Sequence, residues 1–407
     1  MNDATPPVAT APATVPGTVG EVFRAFLKLG LTSFGGPIAH LGYFRDELVT
    51  RRRWLGDREY ADVVALCQFL PGPASSQVGF AVGLLRAGPL GALAAWTAFT
   101  LPSAILLVAF AYGGSVFDNL VGSGILTGLK IVAVAIVAQA VWGMARTLTP
   151  DARRASIAVG AALLTLFVAG SIGQVAAIVL GAVSGLVLCR ESPGEVTGEL
   201  VVPVSRRAGM SALAMFGVLI IGLPVAAAAT GARVVDVADA FYRAGALVFG
   251  GGHVVLPLLQ AEVVPGWVTP EQFLAGYAAA QAVPGPLFTF AAYLGALAAP
   301  GAAGLVTAAV ALVAVFLPGF LLLVGVLPFW NALRTRSRAQ ALMSGANAAV
   351  VGILGAALYD PVFVTAIVDP ASFGVALVCF VLLVSWRIPP WAVVIVGAAG
   401  GILLAVI

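Results

Sequence analysis

The sequence predicts an all-α polytopic membrane protein, built as two inverted-topology repeats with broken helices and about 10–13 membrane segments. Three observations predict it. First, 60% of the 407 residues are hydrophobic, 10% are charged and the mean hydropathy is +1.04. A soluble domain carries about 25% charged residues, and so few charges could not cover a soluble surface of this size. Second, apolar stretches of roughly 20 residues, the length that crosses a bilayer, recur along the whole chain. Third, the second half repeats the first in register. This composition excludes an ordinary cytosolic enzyme, a nucleic-acid partner and a disordered chain. The formal charge of +3 identifies no partner, and the environment implied is the lipid bilayer.

Residues 1–20 are rich in Pro, Ala and Thr. They lack the basic start and apolar run of a signal peptide and are expected to form a disordered tail. Thirteen apolar stretches follow, at 21–37, 59–85, 88–113, 119–145, 154–170, 172–189, 208–229, 235–252, 271–297, 301–327, 339–358, 363–385 and 389–407. The first and eighth are short and end in glycine runs, so they read as half-helices or re-entrant segments. The expected organisation is a first repeat over 21–190, a linker plus one unpaired helix over 191–234, and a second repeat over 235–407. Cys67, Cys189 and Cys379 lie far apart with no CxxC or metal spacing, and they read as packing residues. No metal or cofactor is expected.

The internal repeat is the most informative feature. LGLTSFGGPIAHLGYFRDELV in the first half matches AGALVFGGGHVVLPLLQAEVV in the second. Phe34 matches Phe249 and Glu47 matches Glu262, both at an offset of 215, while Trp54, Gln68 and Pro71 match Trp267, Gln281 and Pro284 at an offset of 213. A two-residue deletion reconciles them. The stretch at 208–229 has no counterpart, and one odd helix between two equal sets inverts the second set, the plan of many secondary transporters. With the N-terminus in the cytoplasm, Arg153, Arg154, Arg206, Arg207, the Arg334/Arg336/Arg338 cluster and Arg387 all fall inside, as the positive-inside rule requires. The loop bearing Arg45, Arg51, Arg52, Arg53 and Arg58 falls outside, against the rule. Either one early segment does not span, or those arginines are held for another reason.

The candidate functional residues cluster at the breaks. Gly35 and Gly36 end the first stretch, Gly250 and Gly251 the eighth, and Gln68 with Pro71-Gly72-Pro73 and Gln281 with Pro284-Gly285-Pro286 interrupt the next pair. Irregular backbone at membrane depth is tolerated only where it is buried in protein or lines a cavity. A half-helix N-terminus offers free N–H groups and a positive dipole end to an anion. The competing reading of each break is a packing kink. Ser75 and Ser76 follow the first P-G-P, whereas Phe288 and Thr289 follow the second, so the site is expected to lean toward the first repeat. His40 and His253 each follow a glycine break without being exact equivalents, since Ile38 aligns with His253. Each could donate to an anion or take a proton, or be a hydrogen-bonded structural histidine. Lys130 lies in an apolar run, where a buried ammonium is costly, so it faces the interior, snorkels or meets the anion. Lys28 could reach the first break or snorkel. Arg45 offers a planar fork suited to an oxyanion, or pairs locally with Asp46 and Glu47. Glu47 and Glu262, matched across the repeats, are candidates for coupling or gating, or for capping. Arg51, Arg52 and Arg53 before Trp54 read as an interfacial anchor.

Several strings carry a resemblance. SFGGPIAHLGYFRDELV, RRRWL, LCQFLPGPASSQVGFAVG and FTLPSA, with FGGGHVVLP and QAVPGP in the second half, resemble the signature of the chromate ion transporter family, over nearly the whole chain as in its long two-repeat members. The resemblance implies a multi-pass plasma-membrane (bacterial inner-membrane) protein that exports chromate and confers chromate resistance. It implies chromate as the partner substrate. Sulfate, also a tetrahedral dianion, stays open, as do channel activity, proton coupling and a homodimer. No HExxH, GxSG or intramembrane aspartate pair suggests an enzyme, and no Walker A motif suggests ATP-driven export.

Overall fold

The structure, a computed structural model, describes residues 17–113, 119–168, 170–189, 204–249 and 252–406. Most of the expected tail, the core of the expected linker, and Gly250 and Gly251 lie outside the described residues. Every regular element among those described is helical.

Helix α1 (Val19–Thr32) opens on Thr18, whose hydroxyl accepts from the Glu21 amide, and ends at Ser33 in an extended conformation. Gly35, at φ +100°, then turns the chain into α2 (Gly36–Phe44), which has a proline in its first turn and runs on as a π-helical turn over Arg45–Arg51. The two arms lie antiparallel. Lys28 Nζ is 3.0 Å from Glu47 Oε2, and further out Trp54 Nε1 donates to Glu21 Oε1 at 2.8 Å. A chain that returns to its starting face has not crossed the bilayer, so the first stretch is one arm of a re-entrant hairpin. Helix α3 (Asp57–Phe69) and the first part of α4 (Ala74–Tyr112) form a second hairpin with Pro71-Gly72-Pro73 at its tip. Arg86, at the far end of that arm, comes back to Glu21. The chain breaks at Ala87 and Gly88 and only then, over 89–112, crosses the membrane.

Helices α5 (Leu120–Leu148), α6 (Ala152–Phe167) and α7 (Ser171–Leu188) complete the first repeat. Asp151 caps α6 through the Arg153 and Arg154 amides, which hold its carboxyl below the ordinary aspartate range. Helix α8 (Arg206–Thr230) is the unpaired one; only Gly209 and Ala212 along it are buried, against α9 and α13.

The second repeat rebuilds the first. Helices α9 (Arg233–Ala246) and α10 (Val255–Val263) form its first hairpin, and α11 (Pro270–Ala282) and α12 (Phe290–Leu297) its second. Helix α13 (Ala302–Val326) is the crossing helix, followed by the short turn α14 (Trp330–Leu333), α15 (Ser337–Ala357), another short turn α16 (Val364–Ala366), α17 (Pro370–Val384) and α18 (Pro390–Val406). Arg243 Nη2 lies 2.9 Å from Glu262 Oε2, the counterpart of the Lys28–Glu47 pair. The stretches 59–85 and 271–297, which the sequence suggests are broken spans, are both hairpins.

Following the chain through its crossings puts the first-repeat hairpins and the second-repeat hairpins on opposite faces. The loop with Arg45, Arg51, Arg52, Arg53 and Arg58 therefore returns to the same face as Arg153, Arg206 and Arg334. The violation of the positive-inside rule disappears because the first hairpin does not span, and this face is the cytoplasmic one. Arg334 also meets Asp62 of α3 there, at 3.1 Å.

The repeats interlock. Gly124 and Gly128 of α5 pack on Gly397 and Gly401 of α18, and Gly181 and Gly185 of α7 pack on Gly345 of α15. Small residues spaced four apart let helix backbones approach closely in lipid. Each half thus lends its last helices to the long helix of the other.

Candidate anion site at the hairpin tips

The four hairpin tips meet in the interior. The Gly72 amide donates to the Val248 carbonyl at 2.7 Å, and the Gly285 amide donates to the Ser33 carbonyl at 2.9 Å. These two bonds are repeat images of one another and join the second hairpin of each half to the first hairpin of the other. Both glycines have positive φ, +126° and +107°. A Cβ on Gly72 would stand 2.9 Å from Gln77 Nε2 and from Gly319 Cα, and one on Gly285 2.8 Å from Ser103 Oγ. The breaks thus seat glycine because backbone crosses backbone. These two amides are committed to the repeat interface and are not free donors for an anion, which corrects that part of the sequence reading. Pro71, Pro73, Pro284 and Pro286 frame the same crossing: the Pro71 carbonyl accepts from Gln77 Nε2 and the Pro286 carbonyl from the Thr289 hydroxyl.

Beneath the first tip lies a set of buried polar groups. His40 is 1% exposed, with Nδ1 3.4 Å from Ser75 Oγ, its ring edge-on to Phe99 at 5.4 Å and the Ser33 backbone beside it. Its Nε2 has no hydrogen-bond partner, nor have Ser33 Oγ, Ser76 Oγ, Gln77 Oε1 and Thr100 Oγ1, all buried. The antiparallel packing of the two parts of α4, fixed by Gly83 against Gly91, sets Ser76 opposite the Phe99–Thr100 turn. An unpaired buried polar atom costs about 1–3 kcal/mol, so five in one region is a strong departure from a satisfied core.

His253 reaches the same place from the second repeat. Its Nδ1 lies 2.8 Å from the Tyr277 hydroxyl and 3.4 Å from the Gln281 amide nitrogen; in the tautomer where Nδ1 accepts, the ring proton sits on Nε2. That nitrogen lies about the contact distance from Gly36: a Cβ there would be 4.0 Å away. The two histidines, not equivalent in sequence, thus flank one tip. The first-turn amides of α2 and α4, next to Gly36 and Ser75, have no intrahelical acceptor.

Other expected residues lie elsewhere. Arg45 is exposed and pairs with Asp57 at 2.7 Å, so it is neither at the tips nor paired with its chain neighbours; a π turn carries it to the cytoplasmic mouth. Gln68 is exposed at the end of α3, unlike buried Gln281. Lys28 serves Glu47 rather than the break. Lys130 is half-buried on α5, a helix that packs against α11 of the second repeat. Glu47 is clasped by Lys28, Arg51 and Arg52. Glu262 binds Arg243 and the Ser171 hydroxyl, and Arg243 also holds Asp239. Trp54 is no interfacial anchor: it is buried between the guanidinium groups of Arg52 and Arg86, at 5.4 and 5.3 Å.

Ser33, Gln77, Thr100 and Tyr277 were not singled out by the sequence. Ser33 directly precedes the F-G-G break and Thr100 sits in FTLPSA, so proximity to a motif was their only signal.

The chain matches the family model described as chromate transporter over residues 20–186 and 235–402. It is 29% identical over 404 residues to a chromate transport protein of Pseudomonas aeruginosa, covering 98% of this chain and 94% of that protein. It is 27% identical over 391 residues to a probable chromate transport protein of Synechococcus elongatus, covering 94% and 95%. A chromate transport protein of Cupriavidus metallidurans is 28% identical over 422 residues, at 98% and 97% coverage. No solved structure matches the chain. Two family-model matches separated by the unpaired helix, on a fold whose two halves meet at paired glycine tips, make this multi-pass membrane protein a member of the chromate transporter family.

Proposed function

We propose that this protein is a secondary carrier that moves chromate out of the cytoplasm, binding it at the hairpin tips and alternating access by movement of the hairpins of one repeat against those of the other. The observation that carries the reading is the group of buried, unpartnered polar atoms at the first tip, His40 Nε2 and the hydroxyls of Ser33, Ser76 and Thr100. Tetrahedral oxyanions are held by convergent N–H and O–H donors, and the α2 and α4 N-termini add partial positive charge. His253 Nε2 closes the set from the second repeat. The proline-framed glycine crossings hold the tips together during movement, and the ion pairs Lys28–Glu47 and Arg243–Glu262 keep each hairpin intact.

Efflux follows from energetics. The membrane potential is worth about 2.3 kcal/mol per charge per 100 mV, so an anion leaving a negative-inside cell moves downhill. The test is chromate flux in inverted membrane vesicles. Saturable, potential-dependent chromate accumulation in the vesicles is expected, with loss of flux in His40→Ala. Absence of accumulation in vesicles that contain folded protein would overturn the reading, and saturating competition by sulfate would reassign the substrate.

A further inference from the structure

We infer that this structure is the inward-open state of the carrier, and that Ser171 and Gln174 form the latch holding its outer gate shut. The inference rests on the carrier reading above and adds to it the state and the residues that favour that state.

The two halves share one register, so a contact in one half has an image in the other, and the images differ. In the second half, α11 packs along α5 and α18, and α10 packs against α7 and α15. The images of those contacts would set α3 on α15 and α7, and α2 on α5 and α18. Among the described residues, α2 and α3 instead pack chiefly on α4 and the π-helical turn after α2. Exposure follows the packing. Leu274 and Ala278 of α11 are 1% and 0% exposed and Gln281 is buried, whereas their images Ala61, Ala65 and Gln68 on α3 are all exposed. The second-repeat hairpins are docked on the remaining helices and the first-repeat hairpins are not.

The uncovered face meets water rather than lipid. Helix α3 has 13 residues, about 20 Å of rise, so its inner end lies past the middle of a hydrocarbon core about 30 Å thick. Gln68 is exposed there, and so is Gly35 at φ +100° on the neighbouring tip. Exposed irregular backbone at that depth is tolerated only along a water-filled cavity, and a side-chain amide facing lipid would lose its hydrogen bonds. The first-repeat hairpins enter from the cytoplasmic face, so this face lines a path from the cytoplasm to the tips.

Side chains explain which gate is shut. On the outer face the Ser171 hydroxyl donates to Glu262 Oε1 at 2.6 Å, and Gln174 Nε2 donates to the Pro257 carbonyl at 2.9 Å. These bonds tie α7 to α10. Gly181 and Gly185 of α7 pack on Gly345 as Gly397 and Gly401 of α18 pack on Gly128. Counted back from those glycines, Arg387 and Pro390 stand where Ser171 and Gln174 stand, while Glu47 and Gly42 stand where Glu262 and Pro257 stand. Pro390 has no side-chain donor. Arg387 is exposed and has no ion pair among the described residues, and no atom lies within 4 Å of where a Cβ on Gly42 would sit. Glu47 takes its cations from its own hairpin pair. The cytoplasmic gate lacks the two hydrogen bonds that close the outer one, so two mirrored states are unequally populated. In the outward-open state the joined tips act as the pivot, α3 docks on α15, and α10 and α11 leave α7 and α5.

The experiment applies a charged, impermeant thiol reagent to the full-length protein in membrane vesicles of both orientations, carrying Ala65→Cys or its image Ala278→Cys. The native cysteines are buried. Ala65→Cys is expected to react from the cytoplasmic side, and Ala278→Cys from neither. Adding Ser171→Ala and Gln174→Leu is expected to slow labelling of Ala65→Cys and to open Ala278→Cys to the outside, with a population shift of about 3- to 10-fold for each hydrogen bond removed. An Ala65→Cys that does not react from the cytoplasm, the result for a face covered by lipid or by a second copy, would overturn the inference, as would latch variants that leave both rates unchanged. Should the latch variants fail to fold, the contrast between Ala65→Cys and Ala278→Cys with the latch intact still decides. Chromate flux in the same vesicles separates the two readings. Flux without the labelling contrast overturns the state assignment and leaves transport standing, and the contrast without flux overturns the transport reading.

Discussion

Ser33, His40, Ser75 and Thr100 occupy in the first repeat the positions that Val248, Val255, Phe288 and Phe316 occupy in the second, with Pro102 matching Pro318 to set the register of the last pair. The backbones of the two regions agree closely enough to form mirrored hydrogen bonds, Gly72 to Val248 and Gly285 to Ser33. Their interiors do not agree. One hairpin pair encloses unpartnered polar atoms, while the polar groups of the other have partners: His253 meets Tyr277 and Gln281, and the Thr289 hydroxyl bonds its own turn. The mouths differ as well: Glu47 gathers three cations, whereas Glu262 and Asp239 share Arg243. Symmetry builds the frame, because inverted halves can exchange conformations at equal cost. On the proposed function the anion site leans toward one half, since a single anion needs a single set of donors.

The most drastic way to break this comparison is to test the inversion itself. Single cysteines at Arg53 and Gly266, both exposed at the bases of equivalent hairpins, are expected to be labelled by an impermeant thiol reagent from opposite faces, Arg53→Cys only from the cytoplasm. The native cysteines are buried and give a low background. Labelling of both from one face would sink the inverted plan.

A graded test compares the interiors. His40→Ala removes a donor to a charged ligand, worth about 1.5–3 kcal/mol, and is expected to weaken chromate binding by roughly 10- to 100-fold. Val255→Ala, its repeat image, is expected to cost about 0.5–3 kcal/mol of stability and to leave flux per folded molecule unchanged. Equal effects on normalised flux would place the anion between the halves rather than in the first.

The smallest expected difference lies at the tips. Gly72→Ala and Gly285→Ala each strain a positive-φ residue by about 1–3 kcal/mol. At Gly72 the new methyl also meets the Gly319 backbone, which cannot move aside, while at Gly285 it meets the Ser103 hydroxyl, which can rotate. Thermal unfolding in detergent is expected to rank Gly72→Ala below Gly285→Ala by a modest margin. The reverse order would mean that the second-repeat tip is the tighter crossing.

Hydropathy, register and charge made the membrane class, the repeat and the odd helix legible in the sequence alone. Those properties are local sums: side-chain transfer energies accumulate along a stretch, and a repeat needs only its own two copies for detection. Whether a stretch crosses or turns back was decided by tertiary structure, since 59–85 and 271–297 are apolar enough for either and only contacts between their arms fold them into hairpins. The fate of each charge was decided in the same way. Arg45 could face an anion or a carboxylate, and Asp57 claimed it; Lys28 could reach the break, and Glu47 claimed it. Ser33, Gln77 and Thr100 are unremarkable letters in an apolar chain. They matter because the packing of α1, α4 and α13 leaves their polar atoms buried and unpaired, a condition that depends on every neighbour at once and that no single stretch of sequence encodes.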